Sequence, residues 1–402
     1  MTAGKFIGCV MMITGSAVGA GILAMPMVSA FAGFSVTVVV MLLLWVFMTV
    51  SGLLVLEASL SLPKHACSFN SIAEKSLGSF GKTITWITYL FLLYSALVAY
   101  ISGGSDLILG VLKSKLNIGI ESWIIATVFT VLMGSAVFWS TKATDYVNRG
   151  LISVKGFLLI STLIFISVYI RPSELFGMIG PNHVKQVMIA APVLLGLFNF
   201  HFVVPSIRMY VGDKPKMLKW IIISGTTLSL VLYLLWLAAN LSAIPLEGEH
   251  SYRVIGGSLG EFARILTTIV NNKWVNFSIH GFINISMTTA FLGISLGLFD
   301  FLADGFKRPD TRLGRLQTAS LTFIPPLLIA VFYPNSFVKA FGYSGICAAI
   351  LFLVLPPIMV YRLRKRFSSS YCVSCGKIVF ALITIIGLVF TICPILIDLR
   401  VF

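Results

Sequence analysis

The sequence predicts an all-α membrane protein in which eleven helices cross the bilayer and the first and sixth are broken. Three observations predict it. Of the 402 residues, 58% are hydrophobic and 11% charged, too little polar surface to cover a soluble core. The apolar residues gather in long stretches between charged loops, each about 18 residues or more, the length a helix needs to cross a hydrocarbon core of roughly 30 Å. Two stretches are interrupted by glycine, proline and polar residues where a membrane helix would be continuous. The period-two alternation of a transmembrane barrel is absent.

In chain order the expected spans are 5–31, 34–58, 83–112, 121–140, 147–170, 187–210, 217–243, 275–305, 315–333, 337–361 and 377–398. Two connecting loops are long enough to hold structure of their own. Residues 59–82 read as a short amphipathic helix on the face of the N-terminus, and 244–274 as a helical cap on the opposite face. The first stretch, with Lys5 and an Ala30-Phe31-Ala32 triplet, has a signal peptide's outline, but its apolar part is too long and the glycines interrupt it.

The net charge of +15 follows from topology rather than from a nucleic-acid partner. Assigning loops to alternate sides places 20 of the 29 Lys and Arg residues on the side of the N-terminus, among them Lys5, Lys64, Lys75 and Lys82 and the Arg362 to Arg366 cluster. The other side receives fewer, including Lys115 and Arg400. Cytoplasmic loops carry the basic excess, so the N-terminus is expected in the cytoplasm and the C-terminus, after an odd number of spans, in the periplasm. Glu57 and His65 read as markers of the cytoplasmic interface. The six cysteines form no disulfide framework; Cys372 and Cys375 make a CxxC with no second pair or nearby histidine and read as two free thiols, and Cys67 stands alone. No Walker A loop, HExxH or GxSxG occurs, so neither ATP-driven transport nor hydrolysis is indicated, and no enzyme is expected.

The first break is Gly15-Ser16-Ala17-Val18-Gly19-Ala20-Gly21, followed by Pro26. The second gathers Pro192, Gly196, Asn199, His201 and Pro205 within span six. Spans one and six are five helices apart. They therefore occupy equivalent positions in two five-helix halves, 1–170 and 187–361, and because five is odd the second half is inverted; 377–402 adds an extra helix. Matching interrupted helices in inverted halves are a sequence pointer to a transporter binding site.

The stretch Gly15 to Pro26 resembles the first-helix signature of the hydroxy and aromatic amino acid permease family, a bacterial branch of the amino acid, polyamine and organocation superfamily. Ala99-Tyr100-Ile101-Ser102-Gly103-Gly104, Val147-Asn148-Arg149-Gly150-Leu151, Phe200 to Ser206 and Phe291 to Phe301 match in the same order, and the likeness is greatest to the tyrosine-specific members. The resemblance implies the leucine-transporter fold, proton symport and a bacterial inner-membrane location.

A broken helix offers a zwitterionic amino acid both of the partners it needs. The free N-terminus of the second half presents amides to the carboxylate, and the first half ends in carbonyls for the ammonium. Gly15, Ser16, Ala17, Gly19, Ala20 and Gly21 are the expected backbone site. Close helix packing through the Gly15 and Gly19 GxxxG is the competing explanation, and it leaves the third glycine unexplained. On the second break, Phe198, Asn199, Phe200 and His201 set rings beside polar groups suited to an aromatic side chain and its hydroxyl.

For ion coupling the candidate is Lys155, eight residues past Val147 and therefore about 12 Å into a helical segment. In sodium-coupled relatives a cation sits between helices 1 and 8, near helix 5, and in some proton-coupled relatives a helix 5 lysine takes its place; Lys155 resembles that lysine. Thr288 and Thr289 on helix 8 are its expected companions, with His201 and Asp106 in reserve; snorkelling to the interface is the bland alternative for Lys155.

These features describe a symporter importing an aromatic amino acid, tyrosine favoured, by alternating access. Its partners are the amino acid, the proton and the bilayer; no cofactor, metal or nucleic acid is called for, and a monomer suffices. Tryptophan, serine or threonine as substrate, sodium coupling and a passive channel are the alternatives.

Overall fold

The computed structural model describes residues 3–63, 68–113, 119–171, 175, 183–367, 371–374 and 376–399. Lys64, His65, Cys67, Lys115, Cys375 and Arg400 lie outside the described residues. Among those described there is no strand. The helices are α1 (Ala3–Ala17), α2 (Gly21–Ser29), α3 (Phe34–Leu60), α4 (Phe69–Val111), α5 (Ser122–Trp139), α6 (Thr141–Ser167), α7 (His183–Gly196) and α8 (Val203–Val211). They continue with α9 (Pro215–Ala243), α10 (Tyr252–Ile255), α11 (Leu259–Val270), α12 (Lys273–Gly305), α13 (Arg312–Phe332), α14 (Phe337–Leu363) and α15 (Lys377–Asp398).

Nine of these helices are long and apolar enough to cross a membrane, and α1 with α2, bent by 54° at their junction, make a tenth. The stretch expected as a broken span six is two pieces, α7 and α8, separated by residues 197–202. At 1.5 Å per residue neither piece spans a bilayer by itself. Large apolar side chains such as Leu43, Leu132, Ile164 and Ile378 lie exposed, as they must where the surrounding solvent is acyl chain. The chain is a multi-pass helical membrane protein.

Both loop helices are present. The segment 69–77 is helical, opened by the Ser68 side chain accepting from the Ser71 amide at 3.2 Å. It joins the third span through Gly78, whose φ of +75° and ψ of −161° only glycine adopts without strain. The cap on the other face is α10 and α11, the latter started by Ser258 accepting from the Glu261 amide.

Side-chain clamps tie together helix ends that the alternation of spans places on the same side. Arg208 of α8 donates to the Ser59 and Leu62 carbonyls, and Arg315 of α13 donates to the Phe138 carbonyl at 2.8 Å. Opposite them, Tyr169 donates to the Val270 carbonyl at 3.1 Å, and Lys339 pairs with Asp398 at 2.9 Å. There Asp106 is buried, and a Cβ at Gly260 would stand 2.4 Å from the Asp106 carbonyl, so α11 rests directly on α4.

Glu57 does more than mark an interface. It is buried, grips Arg364 through two bonds of 2.6 and 2.9 Å, and accepts from the Val373 amide at 2.7 Å, joining α3 to the segment that follows α14. Arg364→Ala leaves that carboxylate buried without its partner. It should destabilise the protein by about 3–5 kcal/mol, read as a lowered Tm in detergent, whereas an unchanged Tm would show the pair to be dispensable.

Candidate functional site

Between the two breaks lies a cavity of about 150 Å³. Local chemistry explains each wall. Helix α1 stops at Ala17, where the Gly19 amide turns back to the Ala17 carbonyl at 2.8 Å, and α2 starts at Gly21 with no side chain capping its N-terminus. The amides of Ala20 and Gly21 therefore have no backbone acceptor among the described residues. In the second break, Phe200 bonds back to the Phe198 carbonyl at 3.0 Å, and Tyr233 of α9 takes the Leu197 carbonyl at 2.7 Å.

Ser16, Ala17, Gly19 and Gly21 line the cavity from the first break, and Gly196, Asn199 and Phe202 from the second. Gly15, Ala20, Phe198, Phe200 and His201 do not line it. Phe198 packs edge-on against Tyr233, centroids 5.5 Å apart. Phe200 fills the notch at Gly52, where a Cβ would stand 2.5 Å from its ring. His201 is wholly buried and sandwiched between Phe200 at 4.5 Å and Phe352 at 4.3 Å. Three consecutive rings cannot all face one cavity on a turning backbone, and the ring that does is Phe202.

The GxxxG explanation fails at both of its positions. A Cβ at Gly15 or Gly19 would meet nothing within 4 Å, so neither glycine serves close helix packing. Gly21 does: its Cβ would stand 2.3 Å from the Phe341 ring, which lies against Gly196 as well and wedges between the breaks.

The remaining walls come from residues that were not expected at the substrate site. Tyr89 and Tyr100 of α4, Ile294 of α12, and Phe341, Ser344 and Phe352 of α14 all reach the cavity. Tyr89 leans on Phe202 with centroids 4.4 Å apart. Phe352 is placed by a proline: Pro356 lacks an N–H, so the Phe352 carbonyl four residues earlier has no partner in the helix, the turn widens over Ile350–Val354, and Ser51 donates to that carbonyl instead. Pro356 is a local sequence signal for that placement.

Among the described residues no charged side chain lines the cavity. Its polar groups are hydroxyls, backbone amides and the Asn199 amide, whose Oδ1 is buried and has no hydrogen-bond partner among the described residues. No cluster of potential metal ligands occurs among the described residues.

Lys155 adjoins the same break. Helix α6 starts at Thr141, so Lys155 lies 14 residues along it, about 21 Å. The side chain is buried and its Nζ donates to the Val18 carbonyl at 2.9 Å. Opposite runs α12, in antiparallel register: Asn148 faces Gly293, Leu158 faces Gly281, and Ser161 and Thr162 bond Ser278 at 2.6 and 3.0 Å. That register sets residues 284–286 at the height of Lys155, with Thr288 and Thr289 about one turn further along α12; the Thr289 hydroxyl donates to the Ser286 carbonyl at 3.1 Å, and the Ser286 hydroxyl is buried and has no hydrogen-bond partner among the described residues.

The arrangement suits a neutral zwitterion with an aromatic body: helix-end dipoles for its charged groups, rings for its side chain and an amide oxygen for one donor. Comparison with known proteins agrees in kind. Residues 2–394 match the tryptophan/tyrosine permease family. A tryptophan-specific transport protein of Pseudomonas aeruginosa is 34% identical over 91% of this chain and 88% of its own length. A tryptophan-specific transport protein of Haemophilus influenzae is 33% identical over 96% of this chain and 94% of its own, and tyrosine-specific transport system 1 of the same organism is 30% identical over 97% and 96%. These relatives are named as transport proteins, not as enzymes. With a family match running almost end to end, the chain belongs to the tryptophan/tyrosine permease family.

Proposed function

We propose that this protein imports an aromatic amino acid by proton symport with alternating access, across the bacterial inner membrane, with its N-terminus cytoplasmic and its C-terminus periplasmic. The single observation that carries the reading is the cavity closed by two broken spans and walled by Tyr89, Phe202, Phe341 and Phe352. In this reading α7 and α8 are one interrupted span, which makes eleven, and 1–170 and 187–361 are the inverted halves of a leucine-transporter fold with 377–402 added.

Tyrosine and tryptophan stand level as substrates. The relatives include proteins named for each, and the Asn199 oxygen suits a phenolic O–H as well as an indole N–H. Asn199→Ala should weaken competition by tyrosine and tryptophan about tenfold, the worth of one buried hydrogen bond, and leave phenylalanine, which has no such donor, nearly unchanged. Equal losses for all three competitors would assign Asn199 to the α-amino or carboxylate group instead.

Lys155 is the proposed proton carrier. Its bond to Val18 ties its charge to the shape of the first break, so releasing the proton removes a charge-assisted bond at the substrate site. Uptake of labelled tyrosine and tryptophan into proteoliposomes, with a pH gradient imposed and then collapsed, tests the whole reading. Saturable uptake lost on collapse is expected; linear flux indifferent to the gradient would mean a channel, and uptake demanding sodium a different coupling ion.

A further inference from the structure

We propose that Asp106 is a proton-operated lock on a lid, formed by α10 and α11, that closes the cavity on its outer side, away from the N-terminus. The lid docks on α4 when Asp106 carries a proton and lifts when the proton is lost. The proposal rests on the transporter reading above and adds to it a second protonation site, separate from Lys155.

One stretch of α4 shows where the lid sits. Tyr100 lines the cavity. Three residues on, Gly103 leaves a notch for Leu259, the first residue of α11, and for Met287 and Phe337. A Cβ at Gly103 would stand 3.3, 2.8 and 2.9 Å from those side chains, and all three are buried. Three residues further on is Asp106, on whose carbonyl Gly260 rests, and a Cβ at Gly110 would stand 3.6 Å from the Gly260 Cα. Cavity, apolar plug and carboxyl thus follow one another within about 9 Å of a single helix. Lifting α11 would draw Leu259 out of the plug and open Asp106 to water.

The docked lid has to accommodate the carboxyl. Asp106 is 6% exposed. It accepts from the Ser258 hydroxyl and the Leu259 amide at the start of α11, while its Oδ2 is buried and has no hydrogen-bond partner among the described residues. The charged or titratable groups on the elements around this end of α4 are Lys113 of α4 itself, Glu121 before α5, Tyr252 and Arg253 of α10, Glu261 and Arg264 of α11, Lys273 and His280 of α12, and Lys339 of α14. Arg253, Arg264 and Lys339 each pair with another carboxylate. Among the described residues the charge that reaches Asp106 is that of Lys113, which is exposed, seven residues along the helix.

Two neutral donors and one orphaned oxygen are a poor exchange for the hydration of a full negative charge. The N-terminus of α11 offsets part of that loss, but an ionised carboxylate buried without a counterion remains costly, and the neutral acid is far less so. With the lid lifted, water solvates the carboxylate and the cost disappears. Docking is therefore linked to protonation, so that a proton taken up from the outer side favours the closed lid and its loss at higher pH favours the lifted one. This proton enters and leaves by the same side, so it is not transported, and Lys155 keeps the coupling role.

Spin labels at Thr268 on α11 and Trp123 on α5, both exposed, report docking in the full-length protein without substrate. Wild type is expected to give one short distance at about pH 5.5 and, at about pH 8.5, a longer component whose population is roughly tenfold greater. Asp106→Asn keeps the shape and an acceptor for the Leu259 amide but carries no charge, and should hold the short distance at both. Gly260→Leu should hold the long one at both, since its Cβ would stand 2.4 Å from the Asp106 carbonyl. Wild-type distances that ignore pH, or a pH response that survives in Asp106→Asn, overturn the proposal. Accumulation driven from an outer side at about pH 5.5, where the wild-type lock already holds its proton, should be equal in Asp106→Asn and wild type; its loss would make Asp106 the coupling site and also overturn the proposal. Because the distances are read without substrate or gradient, a failure of the transport reading would leave them unaffected.

Discussion

Replacing Lys155 by glutamine is expected to abolish proton-driven accumulation of tyrosine or tryptophan while sparing exchange of labelled for unlabelled substrate. Glutamine keeps a donor for the Val18 carbonyl, which Lys155 Nζ holds at 2.9 Å, so the first break retains its shape. What it removes is the ability to carry a proton. A single-proton symporter facing an imposed gradient of about one pH unit has about 1.4 kcal/mol available, enough for tenfold accumulation. The variant should only equilibrate. Lys155→Ala removes the bond as well, leaves the Val18 carbonyl without it, and should impair exchange too. Tenfold accumulation by Lys155→Gln would take the coupling role from Lys155 and leave it a structural bond to the break.

The glycines of the first break should separate into two behaviours. Gly19 lines the cavity, and a Cβ there meets nothing within 4 Å. Its φ lies outside the left-handed region, so an L side chain fits its backbone. Gly19→Leu should therefore leave the Tm nearly unchanged while placing four carbon atoms in a cavity of about 150 Å³, and substrate binding should fall by roughly two orders of magnitude or more. Gly21→Val is the opposite case. Its Cβ would stand 2.3 Å from the Phe341 ring and 3.2 Å from the Leu197 side chain, an overpacking that costs about 1–3 kcal/mol and lowers the Tm along with transport. Paired melting and binding measurements distinguish the two; a Gly19→Leu protein that binds normally would move the substrate away from this cavity.

Much of this architecture was legible in the residues alone, because a bilayer admits few solutions. Every backbone group in the hydrocarbon must be paired within its own helix, so hydropathy located the spans and any run of glycine, proline and polar residues within one announced a break. The interruptions at Gly15 to Gly21 and at Gly196 to Pro205 were visible on that ground, and so was Lys155, since a buried charge at that depth requires a partner.

The tertiary structure decided what no periodicity encodes, namely which side chain of a turning backbone faces the cavity. Phe198, Phe200, His201 and Phe202 are indistinguishable by composition or depth; packing at Tyr233, at Gly52 and against Phe352 claims the first three and leaves Phe202 for the cavity. Likewise, Tyr89, Phe341 and Ser344 lie on unbroken stretches far from either break in sequence, and only helix packing brings them to it. By itself the sequence determined a multi-pass helical protein with two interrupted segments, because the solvent enforces hydrogen bonding within each helix. Contacts between helices determined the walls of the cavity and the partner of Lys155, because those contacts join residues more than a hundred positions apart.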